Sequence, residues 1–170
     1  NVWVMVHYLP PTLGAPYPIP CGHVAIRGVF SHTTPLAAFR GIGRIEANYL
    51  TESLIEAAAR ETGMERIELR RRNLVGAAEL PWRTPGGAIV TSGAFAEHFD
   101  RALERADWRG FPARRVESAD RGMLRGFGLG MYVENDGSTP TEFAEVRATG
   151  DGRVVVAGGT QDFGMGHDTV

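Results

Sequence analysis

Apolar residues recur at two periods along this chain, and the change of period separates a helical stretch from a strand-rich one. Between Ile45 and Glu61, Ala47, Leu50, Leu54 and Ala58 return at the three-to-four-residue spacing of one helix face. Gly63 stands just beyond, where a left-handed residue ends a helix. A shorter helix is expected over Glu65–Asn73, with Ile67 inward and Leu74 and Val75 following it. Trp82–Gly87 is turn-rich. Ser92 is suited to cap a third helix over Gly93–Ala106, whose buried face is Phe95, Phe99 and Leu103.

From Met123 the period falls to two. Phe127, Leu129, Met131 and Val133 alternate with Gly126, Gly128 and Gly130, so a strand here has one apolar face and one of bare backbone. Glu142–Thr149 and Arg153–Ala157 flank Gly150-Asp151-Gly152, a hairpin signal. Val154-Val155-Val156 does not alternate, and that strand is expected to be covered on both faces. At the other end, the apolar run beginning Asn1-Val2-Trp3 reads as extended chain, followed by an irregular loop through Pro10-Pro11, Pro18 and Pro20. Val24–Phe30 has strand character and His32–Pro35 is a turn. The expectation is an α+β fold, a glycine-rich mixed or antiparallel sheet packed by about three helices. Residues 1–120 form its loop and helical part and 121–170 its strand-rich part.

Composition narrows the function classes. A length of 170 residues with 43% hydrophobic and 22% charged residues suits one soluble domain with a core. The net charge of -2 argues against a nucleic-acid partner. Arg70-Arg71-Arg72 alternates with Glu65 and Glu68, and the run reads as a solvated helix face. Cys21 is the single cysteine, which excludes an internal disulfide and a cysteine metal cluster; it is expected to be buried or partly buried. No apolar run approaches the roughly 20 residues of a membrane span. The sequence begins without Met and without a leader-like basic segment, so it reads as a piece cut from a longer chain.

Two glycine loops carry the candidate chemistry. Phe39-Arg40-Gly41-Ile42-Gly43 combines a guanidinium with residues that tolerate close backbone approach. Gly158–Thr169 follows a strand, and its glycines bring N–H groups toward a ligand's acceptors; Gln161 offers donors and an acceptor to a heterocycle edge. Alone, each loop reads more readily as a tight strand-to-helix turn. Gly126-Phe127-Gly128-Leu129-Gly130 lacks the spacing and preceding strand of a dinucleotide fingerprint. His7, His23, His32, His98 and His167 include no pair at helical metal-binding spacing, and no protein metal ligands are assigned; His98 is expected at the surface. Glu134, Glu142 and Glu145 fall on or near strands, with salt bridging their default role.

In order and separation, a set of segments resembles the large, molybdenum-binding subunit of the xanthine dehydrogenase and aldehyde oxidase superfamily, most nearly the bacterial aerobic carbon monoxide dehydrogenase large chain. These segments are His32-Thr33-Thr34-Pro35 through Arg44-Ile45-Glu46-Ala47, Glu68-Leu69-Arg70-Arg71-Arg72-Asn73, Arg83-Thr84-Pro85-Gly86-Gly87, Tyr132-Val133-Glu134 and Gly159-Thr160-Gln161-Asp162 with Gly164-Met165-Gly166-His167. The resemblance implies a cytoplasmic oxidoreductase with a molybdopterin cofactor, in bacteria often the cytosine dinucleotide. It inserts a water-derived oxygen into a small substrate and passes electrons to iron–sulfur and FAD-bearing partner subunits. It places Phe39, Arg40 and Gly41 beside the molybdenum, with Arg40 near the metal's oxygen ligand. It assigns Gly159, Thr160, Gln161, Asp162, Gly164, Met165, Gly166 and His167 to the pterin.

Two departures shape the expected activity. Carbon monoxide dehydrogenases have a copper-binding Cys where Gly41 stands, which turns the reading toward an aldehyde or N-heterocycle hydroxylase. Met165 replaces a Gln, and a thioether cannot supply an amide's hydrogen bonds. The resemblance puts the catalytic glutamate beyond Val170 and a further cofactor loop before Asn1, so this stretch is expected to fold but to be silent alone. The alternative is a non-catalytic binding or assembly module that retained the fold.

Overall fold

A computed structural model describes residues 2–34, 39–134, 142–159, 164, 166 and 169, with backbone only for 2–5. The chain divides into two compact units, Asn1–Glu134 and Asn135–Val170. The fold is α+β: among the described residues there are five α-helices and two antiparallel two-stranded ladders.

In the first unit, α1 spans Val2–Thr12, α2 Arg44–Thr62 and α3 Arg66–Asn73. The short β1 (Trp82–Arg83) and β2 (Ile89–Val90) pair antiparallel, with Trp82 opposite Val90. Then come α4, Phe95–Arg105, and α5, Phe111–Asp120. Helix α2 ends as expected at Gly63, with φ 68°. Glu65 caps α3 by accepting from Ile67 and Glu68 N–H, at 2.8 and 3.0 Å. Ser92 is not the cap of α4: Ala94 holds that place and makes no side-chain bond.

Three expectations are corrected here. The first residues form helix α1, not extended chain. Their β-branched content is outweighed by packing on α2, which comes so near that a Cβ on Gly43 would stand 2.7 Å from Leu9 N. The prolines lie in the last turn, and Thr12 Oγ1 donates to the Tyr8 and Leu9 carbonyls at 3.1 and 3.3 Å. Secondly, residues 24–30 and 123–134 join no ladder among the described residues: an apolar alternation makes a strand only where a partner's backbone accepts and donates the ladder bonds. Thirdly, Cys21 is exposed, in an irregular stretch that follows the buried Gly14–Tyr17 turn. Helix α5 was not expected, although Pro112 in its first turn is a start signal.

The core gathers Tyr17, Ile67, Leu74, Phe99, Leu103 and Met131, with Ile55, Phe95, Trp108 and Leu129 against it. Inside it lies a charged node. Glu52 Oε2 accepts from Arg70 Nε and Nη2, while Glu52 Oε1 accepts from the Tyr17 hydroxyl at 2.6 Å and from Met131 N at 3.1 Å. Arg70 also reaches Glu56 at 2.8 Å and donates to the Arg66 carbonyl at 3.1 Å. Arg70 is therefore no part of a solvated face; Arg71 and Arg72 are exposed and pair with Asp100 and Glu68.

In the second unit, β3 (Ala144–Ala148) and β4 (Val154–Gly158) form the expected hairpin, with Val146 opposite Val156. Gly152, at φ 83°, closes its turn by donating to the Thr149 carbonyl at 3.0 Å. Gly159 N–H extends the ladder to the Phe143 carbonyl, also at 3.0 Å. Val146, Val154 and Val156 share one face, and Val155 lies on the other. All four are exposed, so β4 is not covered on both faces among the described residues, where the hairpin has no third layer.

Candidate functional site: the glycine loop at the start of α2

The loop Phe39–Gly43 leads straight into the 19-residue α2. Gly41 and Gly43 both take left-handed φ, 84° and 76°, where an L side chain is strained. Ile42 N–H donates to the Phe39 carbonyl at 2.9 Å, and the Gly41 carbonyl accepts from Arg44 and Ile45 at 3.0 and 3.2 Å. The helix start has no side-chain cap, and its first-turn N–H groups add a partial positive charge.

Phe39 and Arg40 are exposed, Phe39 at 82%. Among the described residues Arg40 has no hydrogen-bond or ion-pair partner, so its guanidinium is available to an anion. The next turns of α2 hold two buried acceptors without a hydrogen-bond partner among the described residues, Glu46 Oε2 and Asn48 Oδ1.

The sequence-derived site is only partly described. Phe39, Arg40 and Gly41 come together in this loop. Gly159 ends the β3–β4 ladder, Gly164 and Gly166 take φ 96° and 78°, and a Cβ on Gly164 would meet nothing within 4 Å. Gly166 accepts from Thr169 N and Oγ1, both at 2.8 Å. Thr160, Gln161, Asp162, Met165 and His167 lie outside the described residues. His98 is exposed, as expected. Among the described residues no group of three or more His, Cys, Asp or Glu converges to hold a metal ion, and no helix is long and apolar enough to cross a membrane.

A guanidinium, left-handed glycines and an uncapped helix start make a donor set for an oxygen-rich anionic group. The family description molybdopterin cofactor-binding domain matches residues 3–74, and a second domain so described matches residues 101–170. The chain belongs to the molybdenum hydroxylase superfamily, within its molybdopterin-binding large subunit. Its relatives include the 6-hydroxypseudooxynicotine dehydrogenase complex subunit gamma of Paenarthrobacter nicotinovorans, 35% identical over 91% of this chain and 20% of that protein. The carbon monoxide dehydrogenase large chain of Hydrogenophaga pseudoflava is 27% identical over 90% of this chain and 21% of that one. Among solved structures, quinoline 2-oxidoreductase from Pseudomonas putida 86 superposes with a TM-score of 0.66 and 30% identity, covering 79% of this chain and 19% of that one. The chain thus spans about a fifth of the length of these molybdenum hydroxylases.

Sequence reasoning found the glycine loop but missed what holds it. Arg44 served only as part of a motif, yet its Nη1 lies 3.3 Å from Glu134 Oε1 and its guanidinium 4.8 Å from the Tyr8 ring centroid. Glu134 was expected to form a salt bridge and does so; its partner was not legible, because no local spacing links residues 8, 44 and 134.

Proposed function

We propose that this chain is a cofactor-lining part of a molybdenum hydroxylase that oxidises an N-heterocycle or an aldehyde with water-derived oxygen. Residues 1–170 form one stretch of its molybdopterin-binding domain. The observation that carries the reading is the Phe39–Gly43 loop, with an exposed Arg40 that makes no hydrogen bond or ion pair among the described residues, followed by two left-handed glycines at a helix start.

When bound, the molybdenum cofactor supplies a two-electron oxidation of a substrate C–H bond. The chain's own residues bind and orient. Arg40 would donate to an oxygen of the cofactor, and Gly41 supplies the left-handed backbone of the loop, where a Cβ would come 3.2 Å from the Ile45 side chain. Phe39 offers an apolar surface to a flat substrate. Glycines 159, 164 and 166 allow backbone groups to approach the pterin, with Thr160, Gln161, Asp162 and His167 as further donors and acceptors; the Met165 thioether cannot supply an amide's hydrogen bonds there. The cofactor is the cytosine dinucleotide form, and electrons leave through iron–sulfur clusters and FAD in partner subunits. The protein works in the cytoplasm.

Two observations favour an N-heterocycle over carbon monoxide. Gly41 offers no ligand for a second metal, and the name of quinoline 2-oxidoreductase specifies a nitrogen ring. Co-expressing the full-length protein with its partner subunits tests the reading. Near-stoichiometric molybdenum and dye reduction dependent on an N-heterocycle or aldehyde are expected, with no turnover by residues 1–170 alone. A full-length protein without molybdenum under ample cofactor supply instead supports a non-catalytic binding or assembly module.

A further inference from the structure

Arg44 is the first residue of α2, and its surroundings are more specific than a helix start requires. Its guanidinium lies over the Tyr8 ring, 4.8 Å from the centroid, and Nη1 stands 3.3 Å from Glu134 Oε1. The Arg44 side chain is 12% exposed against 41% for that of Glu134, so the arginine end is largely shielded from water, where ion pairs and cation–π contacts are strongest. Its backbone N–H closes the turn onto the Gly41 carbonyl at 3.0 Å. One residue earlier, Gly43 lies against the Tyr8-Leu9 backbone: a Cβ there would be 2.9 Å from Tyr8 C.

Helix starts are commonly fixed by a Ser, Thr, Asp or Asn side chain bonded to the first-turn amides. Gly43 supplies none. The loop before it exposes the side chains of Phe39 and Arg40, and only its end, at Ile42 and the buried Gly43, packs inward. Its position is decided where Arg44 is gripped, by a ring from α1 on one side and a carboxylate from the 131–134 segment on the other. That segment is itself tied to the core where Met131 N–H donates to Glu52.

We propose that Arg44, held between Tyr8 and Glu134, is the positioning residue of the Phe39–Gly43 loop and sets where Arg40 meets the anionic end of the molybdenum cofactor. The inference rests on the cofactor reading above. An exposed guanidinium is aimed only as well as the backbone beneath it, and a displacement of about 1 Å at a binding residue is enough to weaken a site.

The test uses the full-length protein with its partner subunits, expressed under ample molybdenum supply. Molybdenum per polypeptide after exhaustive dialysis is measured for the unaltered protein, Glu134→Gln, Tyr8→Leu and the conservative Tyr8→Phe, with the thermal unfolding of each. Glu134→Gln and Tyr8→Leu are expected to retain about tenfold less molybdenum. Tyr8→Phe, which keeps the ring, should match the unaltered protein, and all four should unfold at similar temperatures. Full molybdenum in Glu134→Gln and Tyr8→Leu overturns the positioning role and leaves the cofactor reading standing. Loss that tracks a lowered unfolding temperature, or equal loss in Tyr8→Phe, overturns it as well. An unaltered protein without molybdenum defeats the cofactor reading and this inference together.

Discussion

Arg70 Nη2 lies 2.6 Å from Glu52 Oε2 with the arginine side chain wholly buried. A buried guanidinium is tolerated only where its charge and donors are matched. Glu52 matches the charge and passes the tie on to Tyr17 and Met131, so one carboxylate joins the 13–20 turn, α2, α3 and the 123–134 segment. Removing Glu52 leaves the buried Arg70 only the half-buried Glu56, and removing Arg70 leaves the Glu52 charge only neutral donors. Arg70→Ala and Glu52→Ala should each cost about 3 kcal/mol or more in denaturant unfolding. The double variant should cost clearly less than their sum. Additive costs would show that the two side chains act independently.

The node also sets a pH window. Burial, reinforced by the adjoining Glu52 carboxylate, pushes the Tyr17 phenol well above its usual 10.0. The folded form holds this proton more tightly, so its contribution is complete below pH 10 and is lost as pH rises beyond it. Glu56 is the opposite case. Desolvation opposes its charge, but hydrogen bonds from Arg70 and Arg66 hold it below the usual 4.5. Its contribution is present above that value and fades as pH falls through the lowered one. Stability against pH should therefore fall on both flanks, and Tyr17→Phe should flatten the alkaline one. An unchanged alkaline limb in that variant would refute the assignment to Tyr17.

How much of this was legible in the sequence depended on how local the cause was. Helix α2 announces itself by apolar period and by Gly63, α3 by its inward Ile67, and the β3–β4 hairpin by Gly150-Asp151-Gly152, because each signal is local in the chain. Helix α1 was not legible: its residues favour strand, and its helical state depends on the close approach of Gly43, more than thirty residues away. Arg70 was misread for the same reason. An Arg-Arg-Arg run looks solvated until one member meets a carboxylate 18 residues earlier. For the site, the glycines that need left-handed φ were readable, whereas the Tyr8, Arg44 and Glu134 contacts join three separate segments.

Gly43 and Gly63 separate conformational strain from contact. Both have left-handed φ, 76° and 68°, but a Cβ at Gly63 meets nothing within 4 Å, whereas one at Gly43 meets the backbone of α1. Gly63→Ala should cost about 1 kcal/mol, the strain alone. Gly43→Ala should cost more than about 2 kcal/mol, because main chain must move as well. Equal costs in chemical denaturation would mean that the α1–α2 approach is looser than described.

Arg40 offers the sharpest separation of binding from folding. It is exposed and makes no hydrogen bond or ion pair among the described residues, so Arg40→Ala should leave thermal unfolding of the 170-residue chain within about 0.5 kcal/mol of unaltered. On the proposed reading, the same change in the full-length protein removes a charged donor to the cofactor. Substrate-dependent dye reduction per bound molybdenum should fall about a hundredfold, the scale of losing one donor to developing negative charge. Arg40→Lys keeps the charge but loses the planar fork, so it should recover only part of the rate. Undiminished turnover in Arg40→Ala, at full molybdenum content, would remove Arg40 from the site and leave the glycine loop as a turn.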